Sequence, residues 1–164
     1  MASVAEQPAP ELPAAFRDAM RRLASAVAIV TAKGCDGPVG MAVTSITSLT
    51  VDPPAVLVCV NRSAGLHACL DVGSAITISI LSRHQREVSM AFGGSVPRDK
   101  RFTIGHWEND AEGGPLLCDA QANLLCRIES LVPYGTHSIV IAKVGAVKLC
   151  GGVEPLIYQD GTYL

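Results

Sequence analysis

Residues 39–51 read Val39-Gly40-Met41-Ala42-Val43-Thr44-Ser45-Ile46-Thr47-Ser48-Leu49-Thr50-Val51. Val, Ile and Thr are stiff at χ1 and suit a pleated strand. The small residues in the middle suit a strand, a kink and a second strand. Asp52-Pro53-Pro54 follows and forces an extended turn, because each proline restricts the residue before it.

The same pattern continues on both sides. Residues 27–32 (VAIVTA) read as a short strand closed by Gly34 and the Asp36-Gly37-Pro38 turn. Residues 55–60 (AVLVCV) read as a buried strand and 75–81 (AITISIL) as an alternating one. Two longer apolar segments, 121–132 and 138–149, are joined by Gly135-Thr136-His137 as a hairpin connection. Residues 155–158 and 161–164 close the chain.

Helical patterns are few. Phe16, Ala19, Met20 and Leu23 recur at helical spacing over 14–24, with Arg17, Asp18, Arg21 and Arg22 opposite and Pro13 near the start. Residues 64–70 fit a short helix. Residues 84–92 fit another, with Val88 and Phe92 one turn apart. Residues 93–112 read as a loop. Pro8, Pro10 and Pro13 make residues 1–13 a flexible tail, which leaves 14–164 as one domain. The expected fold is mostly β with short helices: about six short strands in a closed or partly closed antiparallel barrel. The helices are too few for a βαβ alternation.

Composition narrows the function. The chain has 164 residues and a net charge of −2, with no basic stripe to track a nucleic-acid backbone. Hydrophobic residues make up 49% and mean hydropathy is +0.33, yet aromatics are only 4%, so the core must come from Val, Ile, Leu and Ala. Charged residues are 17%, a sparse surface that hints at cover by another subunit. The longest apolar run, 55–60, is too short to span a bilayer. Residues 1–15 hold no basic residue and no apolar stretch, so a cytoplasmic location is expected. Six cysteines stand at 35, 59, 69, 118, 126 and 150 with no C-x-x-C pair, and are expected to be reduced thiols acting as small buried hydrophobes, with no metal. No G-x-G-x-x-G follows a strand and no Walker A motif occurs, so a dinucleotide bound here would not use the Rossmann device.

Four groups of residues could carry chemistry. The strand from Met41 through Ala42, Val43, Thr44 and Ser45 to Ser48 can present backbone amides and hydroxyls to a polar ring edge; a solvated strand face is the plainer alternative. Val60 ends a buried strand, and Asn61-Arg62-Ser63 then opens a helical segment at Ala64. Hydroxyl, guanidinium and free helix amides together make a phosphate cradle, although a simple cap by Asn61 or Ser63 explains the same residues. Arg98, Lys100 and Arg101 cluster before Phe102, and could complete a phosphate site or be solvated. His137 in its turn and Tyr158 near the terminus could be ligand contacts or packing.

The order of these motifs resembles the flavin reductase family with the FMN-binding split-barrel fold. The resemblance is strongest to reductase components of two-component aromatic monooxygenases acting on 4-hydroxyphenylacetate or chlorophenols. It runs from Phe16-Arg17-Asp18-Ala19-Met20 through Val27–Thr31, Gly40–Ser48, Asp52-Pro53-Pro54, Leu57–Ser63, Phe92-Gly93-Gly94, Arg101-Phe102 and Trp107 to Gly135-Thr136-His137 and Leu156-Ile157-Tyr158. Two positions depart from the family pattern. Ala42 stands where Thr is usual and Ala64 where a second Ser is frequent, and each removes a hydroxyl contact.

The resemblance implies a homodimeric, six-stranded antiparallel Greek-key split barrel with a flavin, FAD or FMN, near the subunit interface. Val43, Thr44 and Ser45 would face the isoalloxazine edge. Asn61, Arg62 and Ser63 would lie at the ribityl phosphate, with Lys100 or Arg101 as helpers, and Met41, Ala42, Ser48, Val60, Ala64 and Phe102 would also contact the cofactor. His137 and Tyr158 would flank the nicotinamide of NADH, or of NADPH, with His137 as the catalytic residue. The implied activity is NAD(P)H-dependent flavin reduction that supplies a separate oxygenase component. A non-catalytic flavin-binding carrier, or a reductase of a corrinoid or ferric acceptor on the same fold, is the alternative, and a flavin-free scaffold lies further off.

Overall fold

The computed structural model describes residues 11–110 and 112–164. The expected tail at 1–13 therefore lies outside the described residues as far as position 10. Helix α1 is Leu12–Met20, earlier than the expected 14–24, because Pro13 falls in the first turn, where no backbone N–H is needed. It ends early because strand β1 (Ser25–Ala26) is drawn into pairing near the C-terminus.

Eight strands follow the main pattern or its short additions. They are β2 (Ala28–Gly34), β3 (Gly37–Val43), β4 (Ile46–Val51), β5 (Pro54–Asn61) and β6 (Ala75–Ile80); then, after helix α2 (Arg86–Met90), β7 (Trp107–Glu108), β8 (Leu116–Leu117) and β9 (Ala122–Tyr134). The chain ends with β10 (His137–Leu149), β11 (Ile157–Gln159) and β12 (Thr162–Tyr163). The main sheet runs β3-β2-β6-β9-β10-β5-β4, with every neighbouring pair antiparallel. It has seven strands rather than six, because the ladder breaks at Thr44 and Ser45 and splits one run of chain into β3 and β4. Those two strands are the sheet's opposite edges.

Strand β2 explains why VAIVTA is apolar without interruption. Ala28, Val30 and Ala32 pack into one cluster with Val43, Val58, Ile76, Ile78, Ile128 and Val140. Ile29 points the other way, with Val27, Leu81, Val88, Phe92, Leu117 and Leu156. Side chains alternate across a strand, so a strand covered on both faces is apolar throughout. Buried hydroxyls fix the outer cover. Thr31 Oγ1 donates to the Pro115 carbonyl (2.7 Å) and Thr77 Oγ1 to the Gly114 carbonyl (2.9 Å). Ser79 Oγ donates to Asn123 Oδ1 (2.6 Å), whose amide donates to the Leu117 carbonyl (2.9 Å).

Two helical expectations shrink. Residues 64–70 form only a 3₁₀ turn at His67–Cys69. The 84–92 helix is Arg86–Met90 followed by a widened π turn at Ala91–Ser95, ended by Gly94 at φ +115°, which only glycine adopts freely. The 93–112 loop contains a 3₁₀ segment, Arg98–Thr103, and the short β7. The cysteines are all free, as expected, but only Cys126 is buried; Cys35 and Cys150 are exposed.

Candidate functional site

The kink between β3 and β4 is tied to β5. Ser45 Oγ donates to the Cys59 carbonyl (2.9 Å), and the Cys59 amide donates to the Ser45 carbonyl (3.2 Å). Two residues further, Asn61 pairs with His137 across the β5–β10 ladder. The Arg62 amide donates to the Thr136 carbonyl (2.9 Å). The fold thus gathers Thr44, Ser45, Asn61, Arg62 and His137 at one corner of the sheet. His137 is the first residue of β10; the turn itself is Gly135-Thr136, with Gly135 at φ +55°. Its ring is exposed, and Nδ1 shares a 2.9 Å hydrogen bond with Thr136 Oγ1.

Asn61 and Ser63 spend their polar groups on each other. Asn61 Oδ1 accepts from the Ser63 amide (2.9 Å) and from Ser63 Oγ (2.8 Å). No α-helix opens here, so the expected row of free helix amides is absent. Val60 is fully buried in the core, which leaves only its backbone available. Ser48 lies on exposed β4, three positions past the kink.

Two cavities flank β3. One, of about 270 Å³, is bounded by Gly40 and Met41, by Ala64 and Gly65, and by Arg98, Arg101, Phe92 and Phe102. Arg101 donates to the Val96 and Gly40 carbonyls (both 3.3 Å). Arg98 lies against Gly65, where a Cβ would fall 2.7 Å from Nη1, so a side chain there would push the guanidinium from its present position. Among the described residues no ion pair involves Arg98 or Arg101. Burial, and then the charge of Arg98, lower the pKa of Arg101. Two like charges are thus held near each other, and neither makes an ion pair among the described residues. Lys100 does not border this cavity. Phe92, Phe102 and Trp107 brace its wall with ring centroids 5.0–5.1 Å apart.

The second cavity, of about 340 Å³, is bounded by Ala42, Val43 and Thr44, by Ser89 and Gly93, and by Tyr158 and Tyr163. Tyr158 stacks edge-on with Tyr163 at 5.1 Å, and Ser89 Oγ and the Tyr163 hydroxyl share a 2.9 Å hydrogen bond. His137 borders neither cavity, so within one chain the structure does not bring His137 and Tyr158 together.

Sequence reasoning did not separate Arg98 from Lys100, and it missed His67. His67 Nε2 lies 2.9 Å from Oγ of buried Ser138 and pins the 3₁₀ turn to β10. Among the described residues no group of three or more potential ligands could hold a metal ion, and no helix is long and apolar enough to cross a membrane.

A family model described as the flavin reductase like domain matches residues 20–164. This chain belongs to that family. It is 37% identical to an NADH-dependent FMN reductase, RutF, of Variovorax paradoxus over 94% of this chain and 86% of that protein. The styrene monooxygenase flavin reductase of Pseudomonas putida S12 superposes with a TM-score of 0.81 at 31% identity, covering 91% of this chain and 95% of its own. The NADH:FAD oxidoreductase of Streptomyces globisporus, in complex with NAD and FAD fragments, superposes at 0.85 with 27% identity over 98% and 96%. The flavin reductase family member therefore shares its fold and most of its length with reductases of this kind.

Proposed function

We propose that this protein is an NADH-dependent flavin reductase that passes hydride to FMN or FAD and releases the reduced flavin to a separate oxygenase component. The observation that carries the proposal is the unneutralised Arg98–Arg101 pair facing a cavity walled by β3, in a chain of the flavin reductase family. That pair fits a flavin phosphate. The backbone at Val43, Thr44 and Ser45, at the kink, supplies amides for the isoalloxazine edge, and these contacts survive the loss of a hydroxyl at Ala42 and at Ala64. When bound, the flavin supplies the hydride chemistry: nicotinamide C4 gives hydride to flavin N5.

The chain's own task is to hold both rings, exclude water and orient them. His137 holds the edge of one ring by a hydrogen bond, and Tyr158 lines the nicotinamide side. Because the two stand apart in one chain, a second copy completes the arrangement. The exposed apolar stripe Leu12, Phe16, Met20 and Leu23 of α1 and its flank, with no buried residue in the helix, supports such a homodimer. In that assembly β3 and β4 act as one bent strand, which makes the seven-stranded sheet a six-stranded Greek-key split barrel. Release to a separate component is supported by the likeness to the styrene monooxygenase flavin reductase and to the flavin reductase component of a bacterial two-component tryptophan halogenase.

Steady-state NADH oxidation with FMN and with FAD, followed by gel filtration of the protein with each flavin, tests the proposal. Turnover with flavin lost on the column supports it. Flavin that never exchanges, or no NADH consumption, contradicts it.

A further inference from the structure

Gly40 stands inside strand β3, where a glycine weakens a strand and often marks a close approach of another group. Its backbone does not call for glycine, since Gly40 is not among the glycines held at positive φ. What calls for it is space. A Cβ on Gly40 would lie 2.8 Å from Phe92 Cε1 and 3.1 Å from Phe92 Cδ1. Phe92 is buried in the turn Ala91–Ser95, and its ring is held by Phe102 edge-on at 5.0 Å and by Trp107 at 5.1 Å. Thr31 Cγ2 also lies 3.1 Å from that Cβ position, a contact that a shift of a few tenths of an ångström relieves. The braced ring is therefore what keeps position 40 bare.

The same residue holds Arg101. Strand β3 is an edge of the main sheet, and Arg101 Nη1 donates to its Gly40 carbonyl (3.3 Å). Arg101 Nε donates to the carbonyl of Val96 (3.3 Å), the residue directly after the Phe92 turn. A guanidinium has five N–H groups, so two are tied to the backbone and three remain for a ligand. Carbonyls orient the group without cancelling its charge, as a carboxylate would. Phe102, the next residue in the chain, is the one packed edge-on against Phe92. Both anchors of Arg101, and its aromatic neighbour, thus depend on how Phe92 sits on Gly40.

We propose that Gly40 is a positioning residue for the flavin phosphate: its carbonyl and its bare Cα, clamped under Phe92, set the Arg101 guanidinium at the cavity wall. The proposal rests on the reading of Arg98 and Arg101 as the phosphate site. It ties that site to the strand whose later residues, Val43 and Thr44 with Ser45 beyond them, serve the isoalloxazine edge. Strand and arginine then form one unit, so the spacing between ring site and phosphate site is set before the flavin arrives. Preorganisation of this kind lowers the ordering cost of binding.

Equilibrium binding of FMN and of riboflavin to the full chain, read by flavin fluorescence, checks this without NADH. Gly40→Ala should weaken FMN about tenfold, the low end of what loss of a charge-assisted hydrogen bond costs, and should change riboflavin less than about twofold. In a Phe92→Leu background, where the ring is gone, adding Gly40→Ala should cost FMN less than about twofold, because residues in contact are not additive. Trp107→Leu, whose side chain lies off the cavity, removes the brace from behind and should weaken FMN several-fold while sparing riboflavin. It carries the test if Gly40→Ala does not fold, as judged by circular dichroism. Equal losses for FMN and riboflavin, or the same tenfold cost of Gly40→Ala with and without Phe92, would overturn the proposal. If Arg101→Ala weakens FMN and neither Gly40→Ala nor Trp107→Leu does, the phosphate site stands and the positioning role falls. If Arg101→Ala has no effect, the phosphate site itself falls, and the proposal with it.

Discussion

His137 stands directly opposite Asn61 in the β5–β10 ladder, at the corner where the β3–β4 kink is hydrogen-bonded to β5. This pairing places an exposed imidazole beside the kink without burying it. His137→Ala should therefore lower kcat with FMN about tenfold, the cost of one hydrogen bond to the reacting pair. The melting temperature should stay unchanged, because the ring packs against nothing in the core. Equal kcat and an equal KM for NADH in the variant would remove His137 from the mechanism.

Arg98→Ala and Arg101→Ala should separate phosphate recognition from ring recognition. Each should raise KM for FMN about 10- to 100-fold, in line with loss of a charge-assisted hydrogen bond. KM for riboflavin, which has no phosphate, should change little. Lys100→Ala, whose side chain lies off the cavity, is the control. Parallel losses for FMN and riboflavin would place the phosphate elsewhere.

The contrast between Arg98 and Lys100 shows where the sequence stops being legible. A loop has no period, so all three basic residues looked equal. In a 3₁₀ segment the side chains at i and i+3 eclipse, which aligns Arg98 with Arg101 and turns Lys100 away. The short Arg-x-x-Arg spacing is the signal that could have shown it. The β3–β4 kink, by contrast, was legible, because small hydroxyl residues interrupt a β-branched run at Thr44 and Ser45. The amphipathic stripe of α1 was legible too, but its partner was not, since periodicity shows which face is apolar and not what covers it. His67 was invisible because its partner, Ser138, is brought near only by tertiary folding.

Gly114→Ala should destabilise the fold by about 1–3 kcal/mol through overpacking. A Cβ there would lie 2.4 Å from the Ala32 amide nitrogen and from the Thr31 carbonyl carbon, both backbone atoms that cannot swing aside. Gly93→Ala, where a Cβ meets nothing within 4 Å, should leave the melting temperature unchanged. Thermal melts of both variants check the pair, and equal melting temperatures would refute the close approach of the 114–117 segment to β2.

Alkaline pH should expose the buried Cys126. Burial pushes its thiol from 9.0 up to about 12 in the folded chain. A raised folded value favours the protonated form, so the stabilising contribution is complete below pH 9.0 and is lost as pH rises toward 12. Cys126→Val removes the titrating group at similar volume. The wild-type chain should lose more stability than this variant once the pH passes 9.0, measured by denaturant melts across that window. Parallel losses would mean that another group governs the alkaline response.

The most direct measurement mixes the protein, oxidised FMN and NADH without oxygen and follows the flavin's visible absorbance. Rapid loss of the yellow band, with one NADH consumed per flavin and no loss when the protein is omitted, is the predicted result. Absorbance that persists with bound flavin and NADH both present would contradict hydride transfer on this chain.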